Sequence, residues 1–321
     1  MSALAVLRTA LMVLVLAGPA WGQSASAPDT TADAVDAEVE IIAHLPGPAL
    51  WRVTTARSEL WIIGMTGPTP KSLAWDMRRF ETALSGAQEL VIPPGASIGV
   101  VEAAGLLFDP ARRYHYPGGQ TLRGSMNAER RARFEAAARS VGQDPAHYDH
   151  WRPLVVSVAL LADTQKHDAL NAQGPLKTMT NLARARGVRV RRLANYSIGD
   201  MLRAFNNAAP DAPDVCLNMT VDLIPRLPAY ASQLGQAWAR GDVKGTLSGQ
   251  AEITADRCFI AVPGILKLQD RVMQDWARGL AATLKRPGKT VLAVDMLSLT
   301  RPGGLLDQLR AQGLEVTGRA Y

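Results

Sequence analysis

The chain has 321 residues, 47% of them hydrophobic and 20% charged, with 35 Lys and Arg against 29 Asp and Glu for a formal charge of +6. The arginines gather at Arg112–Arg113, at Arg130, Arg131 and Arg133, and between Arg184 and Arg192. Aromatic residues are sparse beside them, which excludes a nucleic-acid reader, and beyond the N-terminus no apolar run is long enough to span a bilayer.

Residues 1–22 read as a signal peptide. Arg8 supplies the positive start and Ala10–Gly18 an apolar run too short to cross a bilayer. Ala20, Trp21 and Gly22 form a small-residue cleavage site before Gln23. The alternative is an uncleaved N-terminal anchor. Cleavage after Gly22 removes one arginine and no acid, so the mature chain carries +5. This segment predicts a periplasmic or secreted protein, with the arginine clusters as solvated faces attracted to an anionic envelope. Residues 23–45, poor in large apolar side chains, read as a flexible linker. With no second linker of that kind, 46–321 reads as one domain.

That domain opens with strands at 48–53 and 59–64, followed by the loop Met65-Thr66-Gly67-Pro68-Thr69-Pro70. A helix is predicted over Ser72–Leu84 from the spacing of Leu73, Trp75, Phe80 and Leu84, then a buried strand at 89–92 stopped by Pro93-Pro94. Helices are predicted at 127–141, 151–162 and 175–186, and a strand at 188–193. The stretch 197–285 reads as mostly helical, at 197–208, 214–223, 230–239, 253–260 and 266–284, broken by Pro225, Pro228 and Gly241. Thr290–Val294 is a clear buried strand. A loop from Asp295 to Arg301, a helix from Pro302 to Gln312 and a last strand at 314–317 complete the chain. The fold class is therefore α/β: a central mixed sheet flanked by helices, with a largely helical middle insertion. Two strand–loop–helix halves, at 59–93 and 290–317, place their loops at strand carboxyl ends, where open α/β sheets bind ligands. Gly64, Thr66, Asp295 and Ser298 are the candidate crevice residues.

The 2 cysteines, Cys216 and Cys258, predict a disulfide in an oxidising compartment. It would close a loop of about 40 residues, worth roughly 4 kcal/mol in the loop-entropy picture. Two buried free thiols are the alternative. Other constellations carry weaker signals. His147 and His150, with Asp144 and Asp149, form the only local cluster with metal-ligand spacing, but they read as surface residues at a helix entry. No Gly-x-Ser-x-Gly elbow accompanies Ser298. Pro117-Gly118-Gly119-Gln120 is a turn that lacks the residues of a phosphate loop.

The segments 48–53 and 60–64, the stretch Trp238–Val243, the strand Thr290–Val294 and the run Gly303–Thr317 together resemble the TraB/GumN family (TraB/PrgY/GumN), relatives of the Tiki proteases and of the erythromycin-esterase and ChaN-like group. The resemblance implies metal-dependent hydrolysis, with two Gly-x-x-His motifs after the paired strands and a Glu and a further acid after two other strands. This sequence departs from each. The first His position is Gly67, the Glu position is Pro93, the further acid falls near Ala194–Asn195, and the second His position is Ser298. The resemblance with these departures implies a non-catalytic family member with no metal or other cofactor, a binding or scaffold protein whose partner is a peptide or an envelope component. The alternative is a hydrolase with a relocated metal site or a Ser/Asp centre around Asp295 and Ser298.

Overall fold

The computed structural model describes residues 47–97, 115–197, 210–253 and 263–318, all within one compact unit that spans His44–Tyr321. The signal segment, the linker, Cys258 and nearly all of the predicted helix at 197–208 lie outside the described residues.

The chain enters through a hairpin. Strands β1 (Leu50–Thr54) and β2 (Ser58–Met65) pair antiparallel from Leu50↔Ile63 to Thr54↔Glu59. The Thr55 hydroxyl holds the turn by accepting from the Ser58 amide at 3.0 Å. Strands β3 (Thr69–Pro70), β4 (Ala87–Ile92), β5 (Gly95–Ser97), β6 (Leu170–Asn171), β7 (Arg189–Arg192), β8 (Asn195–Ser197), β9 (Gly288–Asp295) and β10 (Val316–Gly318) follow. Six of these strands build the main sheet in the order β10-β1-β2-β9-β4-β7. Within it β2, β9, β4 and β7 run parallel, so their carboxyl ends share one edge. Leu60, Ile62 and Ile63 of β2 and Val291–Val294 of β9 are all buried, as expected for central parallel strands covered on both faces.

The middle of the chain folds around a second apolar cluster. Phe134, Tyr148, Val156, Leu160 and Leu217 meet there, drawn from helices Ala128–Ser140, Pro153–His167 and Ala212–Leu223 and from the 3-10 turn Pro145–Tyr148. Phe134 and Tyr148 stack edge-on with centroids 5.8 Å apart. The mixed sheet, its flanking helices and this helical insertion agree with the fold class read from the sequence. Among the described residues no helix is long and apolar enough to cross a membrane.

Three local elements differ from expectation. The helix predicted over 72–84 spans only Arg78–Leu84. Ahead of it the Asp76 carboxylate accepts from the Arg78 amide at 2.9 Å, while Trp75 turns aside to meet Trp238 edge-on at 5.2 Å. The expected loop at 295–301 contains the short helix Met296–Thr300. A helix that sequence spacing did not reveal spans Val243–Ile253. Its Gly249 lies where a Cβ would come within 3.2 Å of Leu234, so glycine permits close packing on helix Leu227–Ala239.

At the sheet edge, β7 carries Arg189 and Arg191, which both bond the Glu89 carboxylate of β4 at 2.8–3.1 Å. Glu89 is 4% exposed. The Arg191 guanidinium, outweighing the opposing effect of burial and assisted by Arg189, holds its carboxyl below the ordinary value of 4.5. A depressed folded-state pKa gives stability that is present above the ordinary value and lost as pH falls through the folded value. Glu89→Gln is therefore expected to cost about 1–3 kcal/mol at neutral pH. The gap from wild type should shrink as urea denaturation is repeated below pH 4.5.

Candidate functional site at the strand carboxyl ends

β2 and β9 stop side by side, with Gly64 opposite Val294 and Met65 opposite Asp295. The structure thus brings Gly64, Thr66, Asp295 and Ser298 to one edge of the sheet. Pro93 follows β4, the next strand over. The two loops leave adjacent strand ends. The space between them is occupied in large part by the chain's own segments.

The loop after β2 is sealed from two sides. The Trp238 indole N–H donates to the Gly64 carbonyl at 2.6 Å, and both groups are buried. A Cβ on Gly64 would come within 2.6 Å of the Met296 sulfur. On the other side, β3 pairs antiparallel with β6 through Thr69↔Asn171 and Pro70↔Leu170, which carries the turn 172–174 over the loop. A Cβ on Gly67 would overlap the Ala172 carbonyl oxygen. Gly174, at φ +54°, would reciprocally drive a Cβ into the Thr66 carbonyl. Thr66 is buried beneath this contact, and its hydroxyl has no hydrogen-bond partner among the described residues.

The loop after β9 is organised by Asp295, the N-cap of helix Met296–Thr300, which accepts from the Ser298 amide at 3.0 Å. Its other carboxylate oxygen accepts from the Gln250 side-chain amide at 3.2 Å. Burial pushes the Asp295 carboxyl above its ordinary value of 3.8, against the hydrogen bonds from Ser298, Gln250 and the Leu297 amide. This side chain is the ionisable group at the shared edge of β2 and β9, and it is spent on capping. Trp238, Gln250 and the 172–174 turn were missed by sequence reasoning. All three come from the middle of the chain, and no local spacing links them to the loops they contact.

Pro93 offers only a carbonyl, which accepts from an Arg192 guanidinium nitrogen at 3.2 Å. Beyond it, β5 pairs with β8, and the Gly95 amide donates to the Ala194 carbonyl at 3.1 Å. A Cβ on Gly95 would meet that Arg192 group at 2.6 Å. The positions near Ala194–Asn195 are thus part of a small ribbon.

The ligand chemistry implied by the resemblance does not fit these residues. Position 67 has no room for any side chain, Pro93 has no side-chain donor, and Ser298 is engaged with the Asp295 carboxylate through both its amide and its hydroxyl. Among the described residues no three His, Cys, Asp or Glu side chains converge as a metal set. In the His147/His150 cluster both carboxylates are likewise committed elsewhere. Asp144 caps the 3-10 turn by accepting from Ala146 N, and Asp149 pairs with Arg123 at 2.5 Å. His147 packs edge-on against Tyr148 and Trp151. Cys216 is buried on helix Ala212–Leu223, while its expected partner Cys258 lies outside the described residues.

A mixed α/β sheet with its two central parallel strands drawn from opposite ends of the chain, and loops facing one another at their carboxyl ends, defines the class. The chain belongs to the TraB/PrgY/gumN family, whose family model matches residues 49–318. No curated protein and no solved structure matches it.

Two substitution tests follow from the closed loops. Gly67→Ala should destabilise by about 1–3 kcal/mol through backbone overlap, seen as a lowered urea midpoint. At Asp295 the folded pKa is raised, so the folded state holds the proton more tightly than the unfolded chain. This group's contribution is then greatest below pH 3.8 and declines as pH rises through the folded value. Asp295→Asn keeps an acceptor for Ser298 and should abolish that decline with little loss at neutral pH. Asp295→Ala should lose about 1 kcal/mol with the cap.

Proposed function

We propose that this chain is a non-catalytic, exported member of its family that acts as a binding or scaffold protein of the bacterial envelope, with a peptide or an envelope component as its partner. The observation that carries the reading is the contact between Gly67 and the Ala172 carbonyl. At the first family His position, the backbone packing leaves no volume for a metal ligand. At the other three positions Pro93 and Ala194–Asn195 offer no ionisable side chain and Ser298 only a hydroxyl, and Asp295 is held as a helix cap. A hydrolytic metal needs imidazole and carboxylate donors that are free to converge on it.

Export rests on the N-terminal sequence: Arg8, the short apolar run and the Ala20–Gly22 cleavage site. An oxidising compartment is consistent with a Cys216–Cys258 disulfide, which would tie helix Ala212–Leu223 to the segment around residue 258.

The reading is tested on protein purified from the periplasm of a bacterial host. The expected result is a mature N-terminus at Gln23, no free thiol in the unreduced, denatured protein, no stoichiometric Mn, Co or Zn, and no metal-stimulated peptidase activity. Stoichiometric metal together with metal-dependent peptide cleavage would overturn the non-catalytic assignment. Retention of residues 1–22 in a cytoplasmic fraction would overturn export, and two titratable thiols would remove the disulfide.

A further inference from the structure

The helical insertion carries an open groove of about 630 Å³ between helix Ala128–Ser140 and the junction where helix Ala212–Leu223 passes into the 3-10 turn Ile224–Arg226. Such a volume lies within the roughly 300–1,000 Å³ of small-molecule sites. The floor is apolar, formed by Ala136, Ala137, Val221 and Pro225. Along the first helix the lining runs from Arg133 to Ser140, about 10 Å at the helical rise.

The rim is charged, and its charges do not cancel. Arg133 pairs with Asp222 across the groove at 3.2 Å. Arg226 has no carboxylate partner among the described residues. Its guanidinium is nevertheless held in place. Nε donates to the Asp222 carbonyl at 3.2 Å, Nη1 to the Tyr230 hydroxyl at 3.4 Å, and the group lies over the Tyr230 ring at 5.6 Å. A guanidinium fixed by stacking and by a backbone acceptor loses little further freedom on meeting an anion, and its planar fork matches a carboxylate.

We propose that this groove binds a small carboxylate amphiphile, with the apolar chain along the Ala136–Ala137–Val221–Pro225 floor and the carboxylate on Arg226. A purely apolar ligand would leave the Arg226 charge unanswered, and a bare anion would leave the floor wet. A linear chain of some 10 Å with one anionic end satisfies both. The site lies on the helical insertion, and its chemistry is independent of the closed loops at the sheet edge.

The test is calorimetric titration of the mature chain with octanoate, octanol and acetate, with thermal unfolding to confirm that each variant is folded. Octanoate should bind saturably with one site per chain, and octanol and acetate at least about tenfold more weakly. Arg226→Gln should weaken octanoate about tenfold and leave octanol unchanged. Ala136→Trp, at an exposed helical position that fills the groove, should abolish octanoate binding; Ser140→Phe is the second blocking variant should the first not fold. Octanol binding as tightly as octanoate, acetate binding as tightly, no saturable binding at all, or octanoate binding untouched by the folded blocking variant would each overturn the proposal.

Discussion

The parallel pairing of β2 with β9 is the constraint on which the rest of the fold depends. It aligns Ser58–Met65 with Gly288–Asp295 residue by residue, joining segments more than two hundred positions apart in the sequence. Closing so long a loop costs entropy before any contact repays it. The repayment is a fully buried strip of Leu60, Ile62, Ile63 and Val291–Val294, which is why these positions read as nearly continuous apolar runs. Between the two strands the chain adds β4 and β7 to the same sheet and otherwise leaves it, and the helical insertion is the longest of those excursions. It carries its own apolar cluster around Phe134 and Tyr148, so it does not draw on the sheet for all of its stability.

The same pairing decides the character of the sheet's carboxyl edge. Two loops emerge side by side, an arrangement that in an open α/β protein leaves a crevice. Here three elements from the excursion fold back on it. Trp238 clamps the Gly64 carbonyl, Gln250 reaches the Asp295 carboxylate, and the 172–174 turn covers Gly67. The polar groups that remain are mostly engaged with one another, and the chemistry they offer is that of turns and caps. The groove between helix Ala128–Ser140 and Arg226 is open by contrast, and there a charge is held in place with no carboxylate counterion among the described residues.

Much of the framework was legible in the sequence because it is written in local patterns. The apolar runs of β2, β4 and β9 and the helices read at 127–141, 175–186 and 230–239 follow from local pattern, although Pro228, read as a break, sits in the first turn of helix Leu227–Ala239. The departures at Gly67, Pro93 and Ser298 belong to what the family resemblance implies. What could not be read was tertiary. Helix Val243–Ile253 contains Gly245 and Gly249, residues that argue against a helix until the neighbouring helix is seen to need their lack of a side chain. The Asp295 cap was hidden because the helix it starts is only five residues long. The part played by Ala172 and Gly174 rests on the β3–β6 pairing, which is two residues long and has no periodicity to detect.

The reciprocal contact between the loops at Gly67 and Gly174 also bears on what changes this chain can accumulate. At either position the obstacle to a side chain is main-chain carbonyl rather than a movable side-chain end. Replacing one glycine alone meets the opposing backbone, and replacing both meets it twice. A side chain at position 67 therefore requires the 172–174 turn to be re-routed in the same step, and the β3–β6 ribbon with it. The two turns are thus locked as a pair: a side chain at either glycine is admitted only by moving the main chain of the other turn.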